Sequence, residues 1–252
     1  MSFEEAWLKA AQLKKSRLCV GIDPGSDLGG ALTKAAWCHE LIAAVAPHAA
    51  AIKFNRNHLK DQPREVVSQL VEAVHTAGMV AIDDSKLADI GESNHAGLAQ
   101  AAAEGFDAVT YAPFPGNVVD TARSARDLGL GLIVLVLMSN PEFEVIKNAR
   151  IGGQAAYEFF AQAVAAESDC GLVIGAPSPR NHLTADEVLR VRALTGPRVV
   201  LVPGIGAQGG DPAAIVAAYG ALTIANVGRA ITSSKDPSLL AAQYQEQLGW
   251  SD

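Results

Sequence analysis

The stretch "VAIDDSKLADIGESN" (80–94) begins as an apolar strand and then becomes densely charged around Lys86. Residues i and i+2 of a strand share a face, so Asp84 and Lys86 are expected to point the same way and Asp83 to point away. Asp89 follows just after the strand. Nearby carboxylates keep an ammonium protonated, which suits a proton donor better than a lysine that must be neutral for Schiff-base chemistry. We therefore take Asp84, Lys86 and Asp89 as candidate catalytic residues, with a surface salt-bridge cluster as the alternative.

Other polar residues also stand where apolar runs end. Asp23 closes the run "CVGID", Lys53 lies in "AIKFN", and Ser139 closes "LIVLVLMS". Charged groups on strands this apolar are costly unless they are paired or functional. One of them could be a buried ion pair, but several at the same end of successive strands indicate a site.

The elements that would carry these residues alternate regularly along the chain. Short apolar runs are separated by longer Ala/Leu-rich segments of helical period such as "PREVVSQLVEAVHTAG", and the runs are "RLCVGIDP", "AAIKFN", "MVAIDDSK", "DAVTYAP", "LIVLVLMS", "GLVIGAP", "RVVLVPG" and "LTIANVG". Runs that are apolar on both faces are typical of parallel strands covered on both sides. The pattern predicts an α/β fold, a (β/α)₈ TIM barrel forming a single domain over residues 1–252, with an N-terminal helix at 1–16. A doubly wound sheet is the alternative.

Two glycine-containing segments follow the last two predicted strands. "GIGAQG" (204–209) fits G-x-G-x-x-G, but a dinucleotide fingerprint belongs after the first strand of its unit, not the seventh. Barrels often bind phosphate with the loops after strands 7 and 8. The glycines at 204, 206, 209 and 210 would let backbone N–H groups approach an anion, with Asp211 and Pro212 starting the next helix. Gly228 and Arg229 would add donors after strand 8, so the substrate is expected to carry a phosphate monoester; two ordinary turns are the alternative.

Composition narrows the class of protein. A net charge of −7 and a pI near 5.4 argue against a partner such as nucleic acid or an anionic membrane, while a small anionic substrate stays possible. The three cysteines, Cys19, Cys38 and Cys170, are far apart in apolar surroundings, which predicts free thiols in a reducing cytoplasm. No signal peptide and no membrane span is expected, and no Cys/His cluster suggests a metal.

Taken together, these segments resemble the orotidine 5′-phosphate decarboxylase family over nearly the whole chain. The similar elements are "CVGIDP", "IKFN", "DSKLADIGES" as the D-x-K-x-x-D-I motif, "MSNP", "VPGIGAQGGD" and "GRAI". The resemblance implies a cofactor-free and metal-free cytoplasmic enzyme that converts orotidine 5′-monophosphate to UMP and CO₂, the last step of de novo UMP synthesis. It also implies a homodimer with shared active sites.

The resemblance also implies a role for each candidate residue. The catalytic group would be Lys53, Asp84, Lys86 and Asp89, with Asp84 against the substrate carboxylate and Lys86 protonating C6 as CO₂ leaves. The substrate-binding group would be Asp23 at the ribose with Lys53, Ser139 at the pyrimidine, Pro203 lining the pocket, and Gln208, Gly228 and Arg229 at the phosphate. Asp89 and Ser93 would reach across the dimer into the partner's site.

Some positions depart from the family pattern, and two other functions are alternatives to this one. Ser93 stands where threonine is usual, and Arg56, Asn57 and His58 stand where many members have apolar or aromatic residues. The nearest rivals are the 3-keto-gulonate 6-phosphate decarboxylases and hexulose phosphate synthases, which share D-x-K-x-x-D but hold a divalent metal partly through a carboxylate of strand 2. That strand ends "AIKFN" here, without an acid. A catalytically dead nucleotide-binding barrel is the non-enzymatic alternative, and the complete set of charged residues argues against it.

Overall fold

The computed structural model describes residues 1–25, 28 and 30–250; residues 26, 27, 29, 251 and 252 of the predicted domain lie outside the described part. Its strands are β1 (Leu18–Ile22), β2 (Ala51–Phe54), β3 (Val80–Leu87), β4 (Ala108–Tyr111), β5 (Gly131–Leu137), β6 (Arg150–Ile151), β7 (Gln154–Ala155), β8 (Cys170–Ile174), β9 (Val200–Val202) and β10 (Thr223–Val227). All except β6 and β7 form a closed parallel barrel in the order β1-β2-β3-β4-β5-β8-β9-β10. The predicted (β/α)₈ barrel is confirmed, and each of the eight apolar runs is a barrel strand.

Helices follow the strands and cover the barrel. They are α1 (Phe3–Lys14), α2 (Ala31–Val45), α3 (Arg64–Thr76), α4 (Gly91–Glu104), α5 (Val118–Asp127), α6 (Phe143–Asn148), α7 (Ala156–Ala165), α8 (Ala185–Thr195), α9 (Ala213–Tyr219), α10 (Arg229–Thr232) and α11 (Pro237–Leu248). Capping boxes begin α1, at Ser2 and Glu5, and α8, at Thr184 and Glu187. No helix in the described ranges combines the length and apolar character needed to cross a membrane.

The barrel has two hydrophobic cores because its strands are buried on both faces. Outward-facing side chains such as Val20, Ile52 and Val134 pack against the helices. Inward-facing side chains such as Ile82 and Ile133 fill the barrel and meet α1 at its amino-terminal end. The interior is therefore solid at one end, and polar side chains gather at the other.

Helix α1 closes the amino-terminal end of the barrel. Trp7 is fully buried, and its indole Nε1–H donates to the carbonyl oxygen of Ala221 at 2.9 Å. Phe3 lies against the start of β5, where a Cβ at Gly131 would come within 2.6 Å of the Phe3 Cβ. The predicted N-terminal helix therefore belongs to the barrel core.

Strand β3 departs from regular pairing at the point where its charged residues begin. Asp83 is opposite Val109 and Leu87 is opposite Tyr111, so four steps along β3 match two along β4. Lys86, inside this bulge, has a φ of +49°, a left-handed conformation that is unusual for a residue other than glycine. Simple strand alternation is therefore not what brings Asp84 and Lys86 together; the bulge does.

Two further local features differ from the sequence prediction. The short antiparallel hairpin of β6 and β7 lies between α6 and α7 and was not predicted, because two-residue strands carry no periodic signal. Helix α9 begins at Ala213 with Pro212 as its N-cap residue, one position later than expected. The carboxylate of Asp211 still accepts a hydrogen bond from the Ala213 N–H at 2.9 Å.

Trp7→Ala is expected to lower the free energy of unfolding by about 3–5 kcal/mol, because it leaves a cavity at the closed end of the barrel. Urea denaturation followed by circular dichroism measures this change. Leu13→Ala is a matched control on the same helix, since Leu13 is 67% exposed. Equal stability losses in the two variants would contradict a closing role for α1.

Candidate active site

A cavity of about 250 Å³ opens at the carboxyl ends of the barrel strands. It brings together most of the predicted site residues, namely Asp23, Lys53, Asp84, Lys86, Ser139, Pro203, Gln208, Gly228 and Arg229. They come from six strand ends that are distant in sequence. The cavity therefore lies at the end of the barrel where this fold class places its chemistry.

The charged centre of the cavity is a chain of three side chains. The Asp84 carboxylate accepts from Lys53 Nζ at 2.6 Å through Oδ2 and from Lys86 Nζ at 2.7 Å through Oδ1. Thr110 Oγ1 donates to the same Oδ1 at 2.9 Å and accepts from the Lys86 backbone N–H at 3.0 Å. Lys53 is buried, whereas the Lys86 side chain is 40% exposed and lies at the mouth. One carboxylate thus orients two ammonium groups.

The ionisation of this chain follows from its contacts. Burial alone would raise the pKa of Asp84, but the charges of Lys53 and Lys86 outweigh it and lower that pKa to about 2. Burial would likewise lower the pKa of Lys53, but Asp84, aided by Asp23, raises it instead. Asp84 and Lys53 are therefore both charged at neutral pH.

Asp23 lies at the end of β1 beside the buried ammonium of Lys53. Its Oδ1 atom is buried and has no hydrogen-bond partner among the described residues. An unpaired buried carboxylate oxygen is costly, and it suits a donor such as a ligand hydroxyl. Asp23 is placed to accept such a hydrogen bond from a molecule in the cavity.

The loops after β9 and β10 form the opposite side of the cavity. Gln208, Gly228 and Arg229 line it, and the Arg229 side chain makes no ion pair within the described part of the chain. The backbone N–H groups of Gly209 and Gly210 donate instead to the carbonyls of Gly206 and Gly204. The expectation that Gly209 and Gly210 offer N–H groups to an anion is therefore not met, and the available donors lie at Gln208, Gly228 and Arg229.

Ser139 lines the cavity and is closely packed against two neighbouring loops. A Cβ at Gly175 would come within 2.8 Å of the Ser139 Cα, and one at Gly204 within 3.1 Å of the Ser139 Cβ. Gly204 also has a φ of +96°, which favours glycine. Small residues on β8 and β9 loops thus make room for the hydroxyl, next to Pro203.

Asp89 and Ser93 do not reach this cavity. Both are exposed, Asp89 after β3 and Ser93 in the first turn of α4. The Asp89 backbone is held by the buried side chain of Asn94, whose Nδ2 donates to the Asp89 carbonyl at 2.7 Å and whose Oδ1 accepts from the Asp89 N–H at 3.1 Å. The loop is thus well anchored while the Asp89 side chain faces outward.

Two polar residues of the cavity were missed by reasoning from sequence. Asn55 and Asn226 both line it. Asn226 Oδ1 accepts from the Cys19 thiol at 3.6 Å, and burial raises the pKa of that thiol to about 12, so the thiol stays protonated. The signal was present, since Asn55 directly follows β2 and Asn226 is the penultimate residue of β10, but the charged residues nearby were a stronger signal.

The residues at the end of β2 help to decide between the metal-free reading and the metal-dependent alternative. The residues there are Lys53, Phe54 and Asn55, and the ammonium of Lys53 lies on Asp84. Across the described ranges, no group of three His, Cys, Asp or Glu side chains is arranged to hold a metal ion. An ammonium group, and not a carboxylate, therefore stands on the β2 side of Asp84.

Comparison with known proteins agrees with this geometry. The model of the "Orotidine 5'-phosphate decarboxylase / HUMPS family" matches residues 16–244. The chain belongs to this family. It is 33% identical to the orotidine 5'-phosphate decarboxylase of Cupriavidus metallidurans over 255 residues, covering 93% of this chain and 88% of the relative. It is 35% identical to that of Azoarcus sp. over 256 residues, covering 93% and 89%.

Solved structures of the family agree as well. The OMP decarboxylase of Leishmania donovani superposes with a TM-score of 0.83 at 27% identity, covering 98% of this chain and 97% of that chain. The orotidine 5'-monophosphate decarboxylase of Methanocaldococcus jannaschii, solved with the inhibitor BMP, superposes with a TM-score of 0.72 at 21% identity, covering 92% and 97%. The second likeness shows the fold alone.

The ion pairs of Asp84 predict a specific response to acid. A carboxyl with a pKa of about 2 in the folded chain and near 3.8 when unfolded stabilises the fold above about pH 4, and this contribution is lost as the pH falls through about 2. From about pH 4 to about pH 2, the free energy of unfolding should fall by about 2 kcal/mol more in the wild type than in Asp84→Asn. Urea titrations at both pH values measure this difference, and parallel losses would contradict it.

Proposed function

We propose that this chain decarboxylates orotidine 5′-monophosphate to UMP and CO₂. The observation that carries the proposal is the Lys86 ammonium, held 2.7 Å from the Asp84 carboxylate at the mouth of the cavity. Membership of the decarboxylase family and its curated relatives support the same reaction. The metal-dependent alternative is not favoured.

The phosphate of the substrate would bind at the β9 and β10 loops, remote from the bond that breaks. Arg229 would supply a forked guanidinium, with Gln208 and Gly228 as further donors. Asp23 and Lys53 would hold the ribose, and Ser139 with Pro203 would contact the pyrimidine. Binding energy from the phosphate can then be used to orient the ring rather than to stabilise the ground state.

The chemical step would occur between Asp84 and Lys86. The bond from C6 to the carboxylate breaks, its electron pair stays on C6, and CO₂ leaves. The ammonium of Lys86 stabilises this developing negative charge and transfers a proton to C6, which completes UMP. Lys86 then regains a proton from solvent, to which its side chain is 40% exposed.

Asp84 would act in two ways during this step. It fixes the position of Lys86, and it places a negative charge against the substrate carboxylate. Burial would raise the pKa of Asp84, but Lys53 and Lys86 lower it to about 2. The carboxylate is therefore charged at neutral pH, and both effects persist there. The protein itself supplies every charge in this scheme, so the proposed reaction uses no metal and no cofactor.

The active form would be a homodimer in which Asp89 and Ser93 enter the partner's site. Their exposure supports this, and Ile90, which follows Asp89 in sequence, adds an apolar side chain that is 67% exposed. A cytosolic location is part of the proposal, and the three free, buried cysteines support it.

The deciding experiment is an assay of purified protein on orotidine 5′-monophosphate after exhaustive treatment with chelator. Full activity supports the proposal and excludes a metal-dependent relative. Activity that returns only with added magnesium would overturn the metal-free mechanism, and absence of turnover with UMP binding intact would favour a dead barrel.

Lys86→Ala is expected to lower kcat by at least about 10⁴-fold, because it removes both the proton donor and the charge that stabilises C6. Calorimetry with UMP should show largely retained binding. Arg229→Ala provides the contrast, since it should mainly raise KM. Near-normal turnover in Lys86→Ala would remove that residue from the mechanism.

Shared active sites predict complementation between two inactive variants. Asp89→Asn and Lys86→Ala should each be inactive as homodimers, but a mixed dimer carries one complete site. An equal mixture, reassociated after mild denaturation, should therefore recover about a quarter of wild-type activity. Recovery no greater than the sum of the separate variants would contradict sharing of Asp89.

A further inference from the structure

Arg56 lies on the outer side of β3, behind the candidate active site, among buried acids. Its Nη2 donates to Glu104 Oε1 at 3.0 Å, and its Nε lies 3.6 Å from Asp83 Oδ2. Asp83 and Glu104 are only 3% and 2% exposed. The guanidinium also stacks over the Phe106 ring at 5.7 Å. We call Arg56, Asp83, Ser85 and Glu104 the outer cluster.

The outer cluster contacts the β3 bulge, which carries the proposed proton donor, Lys86. Asp83 and Ser85 flank Asp84 in sequence, and the Ser85 hydroxyl donates to the Asp83 carboxylate. On the inner side, Asp84 and the Lys86 N–H are bound to Thr110. The bulge is therefore fastened on both faces, with Arg56 as the only cation in the outer cluster.

This fastening opposes local strain. Lys86 has a φ of +49°, a conformation that persists only where the surroundings enforce it. Two buried carboxylates facing one guanidinium leave excess negative charge, and burial raises the pKa of Asp83 to about 6. Without Arg56, Asp83 and Glu104 would repel each other across a buried space, and the outer side of the bulge would open.

Arg56 is also tied to the cavity from the β2 side. It begins the short 3-10 turn Arg56–His58, and the Asn55 side chain caps that turn by accepting from the Asn57 N–H at 3.2 Å. Asn55 itself lines the cavity. The turn therefore links the inner wall of the site to the outer cluster within two residues.

We propose that Arg56 is a positioning residue, which holds the β3 bulge in the conformation that directs Lys86 into the cavity. The inference rests on the proposed function, because the step that Arg56 serves is the proton transfer by Lys86. The Arg56 side chain is not among those that line the cavity, so its effect is exerted through Asp83 and the bulge.

The test uses Arg56→Met, which keeps an unbranched apolar stem and removes the guanidinium and its charge. We expect kcat to fall by about 10- to 100-fold, because a small displacement of Lys86 is enough for such a loss. UMP affinity should change by less than about threefold, since the phosphate-side donors lie on the β9 and β10 loops. Hydrogen–deuterium exchange of the peptide covering 84–87 should become at least about tenfold faster.

Three comparison variants separate positioning from general stability. Arg123→Met removes a more exposed arginine from an ion pair on the barrel exterior, 2.9 Å from Glu167, and should leave kcat unchanged. Arg56→Lys keeps the charge without the fork and should recover part of kcat. In Arg56→Met/Glu104→Gln the repulsion between Asp83 and Glu104 is gone, so thermal stability should largely recover. The value of kcat should stay below that of the wild type, because no guanidinium then holds the Asp83 carboxylate.

The outcomes distinguish this inference from the proposed function. If Arg56→Met lowers the melting temperature but keeps kcat within about twofold of wild type, Arg56 is structural only and the inference fails. A parallel fall in kcat and UMP affinity also overturns it, as does unchanged exchange at 84–87. If the wild type does not decarboxylate the substrate, the proposed function fails, while the exchange measurement still tests whether Arg56 holds the bulge.

Discussion

The carboxylate of Asp84, shared between two ammonium groups, is the interaction on which the rest of the site depends. Lys53 is 6% exposed, and a lone charge there would cost far more than the fold could offset. Asp84 makes that burial possible and at the same time holds Lys86 at the mouth. The five charged side chains that line the cavity, Asp23, Lys53, Asp84, Lys86 and Arg229, carry one net positive formal charge in a protein of net charge −7, so an acidic chain can still attract an anion at this site.

This arrangement requires a strand that is not regular. A regular β3 would pair with β4 residue for residue. The observed strand instead has two more residues than β4 between the pairs at Asp83 and Leu87. The bulge turns the Lys86 backbone so that its N–H meets Thr110 and its side chain returns to Asp84. Solid packing at the α1 end of the barrel supports this strain, since the local cost is borne by a large cooperative core.

Sequence reasoning predicted the barrel, its strands and most of the cavity, because alternating apolar runs and charged strand ends are strong local signals. It could not reveal the bulge, which arises from pairing with β4 rather than from any residue of β3. Nor did it single out Asn55 and Asn226, because neutral side chains at strand ends are a weaker signal than the charged residues beside them. The sequence also did not predict the hydrogen bonds that the N–H groups of Gly209 and Gly210 make within the loop. A glycine indicates where a chain can turn, but it does not indicate which acceptor its N–H group will bind.

Asp83 and Asp84 show how strongly position decides chemistry. They are adjacent and almost equally buried, at 3% and 6% exposed, yet their pKa values move in opposite directions. Burial raises the pKa of Asp83 to about 6, because its nearest cation is 3.6 Å away and is shared with Glu104. The same burial is outweighed at Asp84 by two ammonium groups within 2.7 Å, and its pKa falls to about 2. One step along a strand thus separates a carboxylate held charged by two ammonium groups from one whose guanidinium partner is shared with a second buried acid.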